Sequence, residues 1–364
     1  MELLNRSQPL YSVDCPDPGL AMPASPSEFP QARPLFKYIG GKSWLRGPLR
    51  DAVREALRGA PADFASRCRY VEPFAGGLGS FLSVQDVLRE RGIHRVTLCD
   101  INPLLIGVYG QVAAGPSALL REVSKLEAVF AKAVPSSGQW SAVDRRDKDA
   151  VRQILAPAAD CFAQVRSDFN ASRRRRSLPG VRDYARLVFL QKHSFNGIYR
   201  ENGSGDYNTP FNWSPSVMGD DIHRRVHALN RVFSGFDVEF RSGSFEELDF
   251  APDWFCYLDP PYMNESITEN KYSGSGFGLD QQMSLLDRIR GLPFVYSNHD
   301  LPVLRKGLEG PGVTIGAVGR SNTISASGAA RSDKIQEILA ISRPYRTRKW
   351  REGWTSVQER DQGE

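Results

Sequence analysis

Residues 69–100 limit the fold of this chain more than any other stretch. Residues 69–74 (RYVEPF) have the pattern of a short buried strand, and residues 74–79 (FAGGLG) form a glycine-rich loop that leads into an apolar helical stretch. A second strand pattern at residues 95–99 ends at Asp100. Strand, glycine loop, helix and strand with a terminal acid make a βαβ unit of the doubly wound type. The sequence therefore predicts an α/β protein with a Rossmann-like, mostly parallel sheet.

The remaining apolar patterns extend this unit into a larger sheet that is interrupted once. Helical patterns lie at 104–132, 147–166, 181–193, 221–233 and 281–290, and strand patterns at 237–241, 254–258, 294–296 and 335–341. Residues 194–212, rich in glycine, asparagine and aromatic residues, predict a hairpin-like loop with a turn at residues 202–203 (NG). A chain of 364 residues has the length of one large catalytic core with a smaller module. We predict a disordered N-terminal arm at 1–32, a core made of 33–116 and 236–345, a mostly helical insert at 117–235 and a flexible tail at 346–364.

The composition argues against several classes of protein. Five cysteines are scattered without a CxxC pair, which argues against a disulfide framework and a cysteine zinc site. His223 and His227 lie four residues apart without an acidic ligand, so we predict no metal. No apolar run approaches membrane-spanning length and residues 1–30 lack the apolar part of a secretory signal, which predicts a cytoplasmic protein with no membrane partner. The net charge of +5 permits a polyanionic partner without proving one.

The glycine-rich loop at residues 74–79 predicts a ligand that carries a nucleoside. Glycines let the backbone approach a ligand closely, and the helix that follows offers free N–H groups at its N-terminus. Asp100, at the end of the next strand, is placed to accept hydrogen bonds from ribose hydroxyls. A tight structural turn with a surface aspartate is the alternative. The spacing does not choose between a dinucleotide and another adenosine-bearing cofactor.

A second motif, residues 259–262 (DPPY, called the DPPY segment below), follows a buried strand pattern. Its two prolines make it stiff and leave the Pro260 carbonyl available as an acceptor. Asp259 adds a carboxylate acceptor, and Tyr262 supplies a flat face for stacking. Two acceptors and an aromatic ring suit a planar NH2 group whose nitrogen attacks an electrophile. A rigid turn explains the prolines equally well.

Residues 37–42 (KYIGGK) contain a lysine motif that only partly resembles a phosphate-binding loop. The first glycine of that loop is replaced by Phe36, and Pro30 and Pro34 break the strand that should precede it. Together with the glycine loop, residues 100–102 (DIN) and the DPPY segment, in this order, the chain resembles the D12 (alpha) class of DNA adenine-N6 methyltransferases, the Dam-like family. Residues 195–200 and 331–339 resemble the middle and C-terminal motifs of that family. The resemblance covers nearly all of residues 34–342.

The resemblance implies a Rossmann-like, S-adenosylmethionine-dependent methyltransferase sheet with an inserted, mostly helical target-recognition domain. It implies methyl transfer to N6 of an adenine flipped out of double-stranded DNA, by a restriction-modification or orphan methylase. The implied catalytic residues are Asp259, Pro260, Tyr262 and Lys37. The implied S-adenosylmethionine contacts are Tyr38, Lys42, Glu72, Phe74, Gly76, Gly77, Gly79, Asp100, Ser244 and Asp259. The candidate DNA contacts are Asn196, Ile198, Tyr199, Arg200, Pro210, Arg173 and Arg174, the two latter to the DNA backbone.

Two departures from the family pattern affect these expectations. Ser244 stands where many members carry an acid that binds the adenine of the cofactor, and a serine hydroxyl forms a weaker hydrogen bond there than a carboxylate. Residues 210–213 (PFNW) lack the basic residue that GATC-modifying members often carry, so we do not expect GATC as the site. The alternatives are the same chemistry on RNA or a protein amide, and a degenerate homologue that only binds DNA. A nicotinamide dehydrogenase is the least favoured alternative, because the sequence shows no acid–base pair with a role in hydride transfer. We expect a monomer.

Overall fold

The computed structural model describes residues 11–13, 32–36, 45–175, 178–214, 220–263, 277–321, 334–347 and 351. Its strands are β1 (Tyr11–Val13), β2 (Arg69–Glu72), β3 (Arg95–Asp100), β4 (Asp237–Ser242), β5 (Trp254–Leu258), β6 (Phe294–His299), β7 (Val313–Ser321) and β8 (Lys334–Ser342). Its helices are α1 (Arg46–Ala56), α2 (Phe64–Arg67), α3 (Gly79–Glu90), α4 (Pro103–Ala114), α5 (Ser117–Ala133), α6 (Ser137–Ser141), α7 (Lys148–Arg174), α8 (Val181–His193), α9 (Asp220–Phe233), α10 (Leu279–Arg288) and α11 (Pro302–Leu308).

The described strands form one sheet in the order β1-β4-β3-β2-β5-β6-β8-β7. The five central strands from β4 to β6 run parallel, whereas β1 joins one edge antiparallel and β8 lies antiparallel between β6 and β7. The strand order reverses between β2 and β5, because the chain first builds outward through β3 and β4 and then returns. This mixed α/β sheet confirms the predicted fold class and is consistent with an S-adenosylmethionine-dependent methyltransferase.

The reversal between β2 and β5 places the candidate site. Tyr70 of β2 pairs with Phe255 of β5, and Val71 pairs with Cys256, so the two strands end at the same edge of the sheet. All four of these side chains are buried. Parallel strands that are covered by helices on both faces read as continuous apolar runs, as β5 does. Ligands of open α/β sheets bind at the carboxyl ends of the strands where the order reverses.

The helices differ from the predicted patterns at their ends. The pattern at 104–132 forms two helices, α4 and α5, which meet at 116° because Gly115 (φ 154°) and Pro116 interrupt the backbone hydrogen bonds. The pattern at 147–166 continues to Arg174, through Pro157. Helices α1, α2, α6 and α11 and strand β7 were not predicted. Strand β1 lies within the arm that was predicted to be disordered, and the rest of the arm up to residue 31 lies outside the described residues.

Helices α5 to α8 lie within the predicted insert and pack against the core through α4. The closest approach is at Gly107 of α4, where a methyl group on the Cα would lie 2.3 Å from the hydroxyl of Tyr184 on α8. Only glycine therefore allows these two helices to pack this closely. The domain boundaries themselves stay a prediction. Within the described ranges, no single helix is long and apolar enough to cross a membrane, and the bent pair α4 and α5 meets that test by length and composition only.

Candidate active site

The glycine-rich loop between β2 and α3 is tied to the end of β3. The Ala75 N–H donates to the Cys99 carbonyl at 2.7 Å, and the Gly76 N–H donates to Asp100 Oδ2 at 2.8 Å. The Tyr109 hydroxyl donates to the Gly76 carbonyl at 2.7 Å. Gly76 (φ 46°) and Leu78 (φ 63°) have left-handed backbone conformations, which are uncommon for leucine. Such conformations cluster at ligand sites, where the surrounding contacts maintain them.

Asp100 lies at the end of β3, where it holds the glycine loop and the start of α4 together. Its Oδ1 accepts from the Asn102 N–H at 2.9 Å, and Asn102 in turn caps α4 by accepting from the Leu104 N–H at 3.0 Å. Burial raises the pKa of the Asp100 carboxyl, and the backbone N–H groups of Asn102 and Gly76 oppose that rise. A carboxylate has about four lone-pair directions, so Asp100 can still accept from two hydroxyls.

Ile101, next to Asp100, was not singled out by the sequence motifs. Its side chain is 78 % exposed, although it follows directly on a buried strand. An exposed large apolar side chain beside a carboxylate acceptor suits a ligand that combines a flat ring with hydroxyl groups. The signal in the sequence was an apolar residue between two polar ones, Asp100 and Asn102, just beyond the strand.

Glu72, at the end of β2, is completely buried beneath the same loop. The Tyr70 hydroxyl donates to Glu72 Oε1, and the Ser80 hydroxyl donates to Oε2 at 2.8 Å. Burial raises the pKa of the Glu72 carboxyl to about 8; the two hydroxyl donors oppose this rise, and the negative charge of Asp259 adds to it.

Asp259, the first residue of the DPPY segment, is held by the neighbouring strand β6. Ser297 Oγ donates to Asp259 Oδ1 at 2.9 Å, and the buried Tyr257 hydroxyl lies 3.0 Å from Ser297 Oγ. Ser297 has one proton and gives it to Asp259, so Tyr257 donates to Ser297. Burial and the charge of Asp259 raise the pKa of Tyr257, which keeps this hydroxyl protonated and able to donate.

The backbone of residues 261–263 is fixed by side chains buried beneath it. Gln282 Nε2 donates to the Pro261 carbonyl at 2.8 Å, and the Tyr296 hydroxyl donates to Gln282 Oε1 at 3.0 Å. Asn298 Nδ2 donates to the Tyr296 hydroxyl at 3.0 Å, and Asn298 Oδ1 accepts from the Met263 N–H at 3.2 Å. All three of these polar side chains are fully buried, so their satisfied hydrogen bonds hold the segment in one conformation.

Tyr262 is held through both its hydroxyl and its ring. The hydroxyl donates to Glu337 Oε2, on β8, at 2.9 Å. The ring packs edge-on against His299 with centroids 4.8 Å apart at 74°, and His299 Nδ1 bonds the Met263 carbonyl at 2.6 Å. Burial raises the pKa of Tyr262 well above its usual value, and the charges of Asp259 and Glu337 add to this rise. The motifs did not point to Ser297, Gln282 or Asn298, and the only signal for Ser297 and Asn298 was the polar run that ends the apolar pattern at 294–296. Glu337 lies within the C-terminal motif at 331–339, but no role was predicted for it.

An aromatic cluster lies behind the glycine loop. The rings of Phe74, Phe245 and Phe277 lie between 5.5 and 5.7 Å from one another. Ser244 accepts from the Glu246 N–H at 3.2 Å and so caps the short 3₁₀ helix that carries Phe245. The Gly243 N–H donates to the Asp100 carbonyl at 3.1 Å, which brings this turn next to β3. Ser244 therefore has a structural role beside the site as well as its predicted contact with the cofactor.

Comparison with known proteins decides the family. The family model described as D12 class N6 adenine-specific DNA methyltransferase matches residues 38–314. The chain belongs to this family. Among its curated relatives, the type II methyltransferase M.MjaIII of Methanocaldococcus jannaschii is 26% identical over 86% of this chain and 99% of its own length. The DNA adenine methylases of Vibrio cholerae and Escherichia coli K12 are also 26% identical over 86% of this chain, and over 97% and 96% of their own lengths.

Membership of the D12 class confirms the predicted activity, DNA adenine-N6 methylation. It implies S-adenosylmethionine as the methyl donor and DNA as the substrate, so DNA takes precedence over RNA and protein amides. The predicted contacts Lys37, Tyr38 and Lys42 fall at residues 37–44, which lie outside the described residues. Among the residues that the structure does describe, no group of three or more histidine, cysteine, aspartate or glutamate side chains is placed to hold a metal ion.

The middle motif of the D12 class forms a hairpin-like loop on the insert, as predicted. Antiparallel bridges join Ser194 to Phe211 and Glu201 to Tyr207. Asn202 forms the turn: its Oδ1 accepts from two backbone N–H groups at 3.0 Å, and its carbonyl accepts from Gly205 at 2.9 Å. The asparagine at 202 is the turn residue that the sequence predicted.

The candidate DNA contacts on this loop differ in how accessible they are. Asn196 is exposed and has a left-handed backbone (φ 57°), and the exposed Arg200 bonds Asn208 Oδ1 at 2.7 Å. Ile198 and Tyr199 are half-buried, and the Tyr199 hydroxyl donates to Glu201. Pro210 is exposed, and its carbonyl accepts from the Phe195 N–H at 2.8 Å. The loop therefore presents Asn196 and Arg200 to solvent on a fixed backbone.

Arg173 and Arg174 lie in the last turn of α7 and bind the hairpin-like loop. Arg173 donates to the Gly205 carbonyl at 2.8 Å and pairs with Glu201 at 2.7 Å. Arg174 donates to both carboxylate oxygens of Asp206. These contacts brace the loop against α7. Contacts of the two arginines with the DNA backbone stay a prediction, and they compete with these internal pairs.

Proposed function

We propose that S-adenosylmethionine binds at the edge of the sheet formed by the glycine loop, Asp100 and Ile101. The donor set fits this group: Asp100 has lone pairs left for ribose hydroxyls, Ile101 offers an exposed apolar surface, and the loop offers closely approachable backbone. Glu72, Phe74, Gly76, Gly77, Gly79 and Ser244 line or support this edge, and Tyr38 and Lys42 complete the proposed set. When bound, the cofactor supplies an electrophilic methyl group on a sulfonium.

We propose that the DPPY segment holds the target adenine. Asp259 and the Pro260 carbonyl accept from the two N6 hydrogens, which directs the nitrogen lone pair toward the cofactor site. Tyr262 stacks on the base, and Lys37 lies near it. The observation that carries this proposal is the parallel pairing of β2 with β5, since the glycine loop and the DPPY segment then follow neighbouring strands at the same edge of the sheet. Asp259 acts by positioning and electrostatics rather than as a strong base.

The DNA side of the proposal follows from the chemistry of the duplex. The N6 group of a paired adenine is engaged in base pairing, so the base leaves the helix before it enters the pocket. Asn196 and Arg200 are the exposed polar groups of the hairpin-like loop, and we propose that they contact double-stranded DNA at the recognition site. Insert residues 117–235 would then be the target-recognition domain. We propose a monomer that acts in the cytoplasm, as a restriction-modification or orphan methylase.

The test is methyl transfer from labelled S-adenosylmethionine to unmethylated duplex DNA, with N6-methyladenine measured after digestion to nucleosides. Asp259→Asn keeps the shape of the side chain and removes its charge. The matched control is Asp300→Asn, because Asp300 also follows a core strand but its carboxylate is paired with Arg305 at 2.5 and 2.7 Å. We expect transfer at one sequence motif by the wild type and the control, and a loss of at least a hundredfold, an estimate of about 3 kcal/mol, in Asp259→Asn.

Cofactor binding, measured by calorimetry on the same proteins, separates the possible failures. Transfer that persists in Asp259→Asn would contradict the role of the DPPY segment. A protein that binds the cofactor but labels no duplex DNA would contradict double-stranded DNA as the substrate. A protein that binds no cofactor would contradict the proposed cofactor site. It would support the alternative of a degenerate homologue that only binds DNA, in which Ser244 replaces the acid that binds the cofactor.

A further inference from the structure

We propose that Glu337 is a positioning residue for methyl transfer: its carboxylate fixes the ring of Tyr262 beside Asp259 before the base arrives. This inference rests on the proposed function, in which Tyr262 stacks on the target adenine. Glu337 lies on β8, far in sequence from the glycine loop and the DPPY segment.

The geometry of β6 and β8 brings Glu337 to this position. Glu337 is the antiparallel partner of His299 in the sheet, so the two side chains lie next to each other on the same face. The hydroxyl of Tyr262 donates to Glu337 Oε2 at 2.9 Å, and its ring packs edge-on against His299. His299 is itself fixed through the Met263 carbonyl. Two neighbouring side chains of the sheet thus hold the tyrosine at its hydroxyl and at its ring.

The burial of Glu337 supports a functional role for its hydrogen bond with Tyr262. The residue is 4 % exposed, and a buried carboxylate is costly unless donors bind it. A hydrophobic side chain would fill the same position on β8 at no such cost. The carboxylate instead provides an acceptor for a tyrosine whose stacking face needs a defined orientation. Stacking on a flipped base costs less when the ring is already ordered, because fewer side-chain rotamers are lost on binding.

The expected effect is on the chemical step rather than on DNA binding. Glu337→Leu removes the acceptor, and Glu337→Gln keeps one in nearly the same shape. Because a hydrogen bond to a charged group is lost, we expect kcat to fall about tenfold to a hundredfold in Glu337→Leu with little change in KM for DNA. We expect Glu337→Gln to retain most of the wild-type kcat. Tyr262→Phe removes the hydroxyl that donates to Glu337, so its kcat should fall by a similar factor. The kcat of the double variant Tyr262→Phe/Glu337→Leu should be little lower than that of either single variant.

The experiment uses the full chain and a duplex that contains the mapped methylation motif, with 2-aminopurine at the target adenine for the fluorescence readout. An unstacked 2-aminopurine is bright and a stacked one is quenched. We expect Tyr262→Ala and Glu337→Leu to give brighter complexes than the wild type and Glu337→Gln to match the wild type. Wild-type kcat and emission in a folded Glu337→Leu protein would overturn the inference. If that variant does not fold, wild-type kcat and emission in Tyr262→Phe would overturn it.

The same series keeps this inference separate from the proposed function. If Tyr262→Ala leaves both kcat and emission unchanged, the stacking role of Tyr262 fails, and the inference fails with it. If Tyr262→Ala loses activity while Glu337→Leu and Tyr262→Phe behave as the wild type, the proposed function stands and only the role of Glu337 fails.

Discussion

Glu72 makes the stability of this protein depend on pH in a direction opposite to that of a surface carboxylate. Burial raises its pKa from 4.5 to about 8. Between these values the unfolded chain ionises the carboxyl while the folded protein keeps it protonated. The stabilisation that the raised pKa of Glu72 gives the folded protein is therefore fully present below pH 4.5 and is lost as the pH rises toward 8. At about 1.4 kcal/mol per pH unit, the difference between the two pKa values corresponds to roughly 5 kcal/mol.

The perturbation is Glu72→Gln. Glutamine has the same shape, can accept from the Tyr70 or the Ser80 hydroxyl, and does not ionise. In the wild type, the free energy of unfolding falls as the pH rises from 5 to 8, because Glu72 ionises in the unfolded chain. The variant lacks this group, so its free energy of unfolding should increase relative to that of the wild type over the same range. The expected gain over this range is several kcal/mol, about 1 kcal/mol for each pH unit or somewhat more.

The measurement is urea unfolding at pH 5, 6, 7 and 8, with the midpoint and slope fitted at each pH. The matched control is Glu90→Gln at the last residue of α3, since the Glu90 side chain is 41 % exposed and its carboxylate lies 3.5 Å from Arg54. We expect the control to follow the wild type. A difference between Glu72→Gln and the wild type that stays constant across the four pH values would refute the reasoning.

Three further predictions concern the support of the site and of the fold. Ser297→Ala removes a donor to Asp259, the proposed acceptor for the target adenine, and steady-state kinetics should show a fall in kcat of about tenfold or more with unchanged cofactor affinity. Gln282→Leu removes the donor to the part-buried Pro261 carbonyl and the acceptor of the buried Tyr296 hydroxyl, so the free energy of unfolding should fall by about 2–4 kcal/mol. Gly107→Ala should destabilise by about 1–3 kcal/mol because its methyl group meets Tyr184, whereas the control Gly47→Ala, with open space in a helix, should stabilise by up to about 1 kcal/mol. Equal effects of the two glycine substitutions on the melting temperature would contradict the close approach of α4 and α8.

Local patterns were sufficient for the parts of the fold that are built from consecutive residues. The βαβ unit, the buried strand before the DPPY segment and the turn at Asn202 all depend on short-range sequence chemistry, and all are present. Helix ends were less predictable, because the break between α4 and α5 needs only two residues and α7 continues through a proline. Strand β1 was missed because a three-residue edge strand has no pattern of its own and forms only by pairing with β4.

The sequence by itself pointed to the D12 class, which the family comparison confirms. It also predicted a nucleoside site on the glycine loop and acceptors for a planar NH2 group in the DPPY segment. Only the tertiary structure showed what holds those groups in place. Ser297, Gln282, Asn298 and Glu337 reach the DPPY segment from α10, β6 and β8, and Arg173 and Arg174 turn out to brace the hairpin-like loop. The reason is physical. A motif is recognised by residues adjacent in the chain, whereas the hydrogen bonds that orient it come from strands that become neighbours only when the sheet forms.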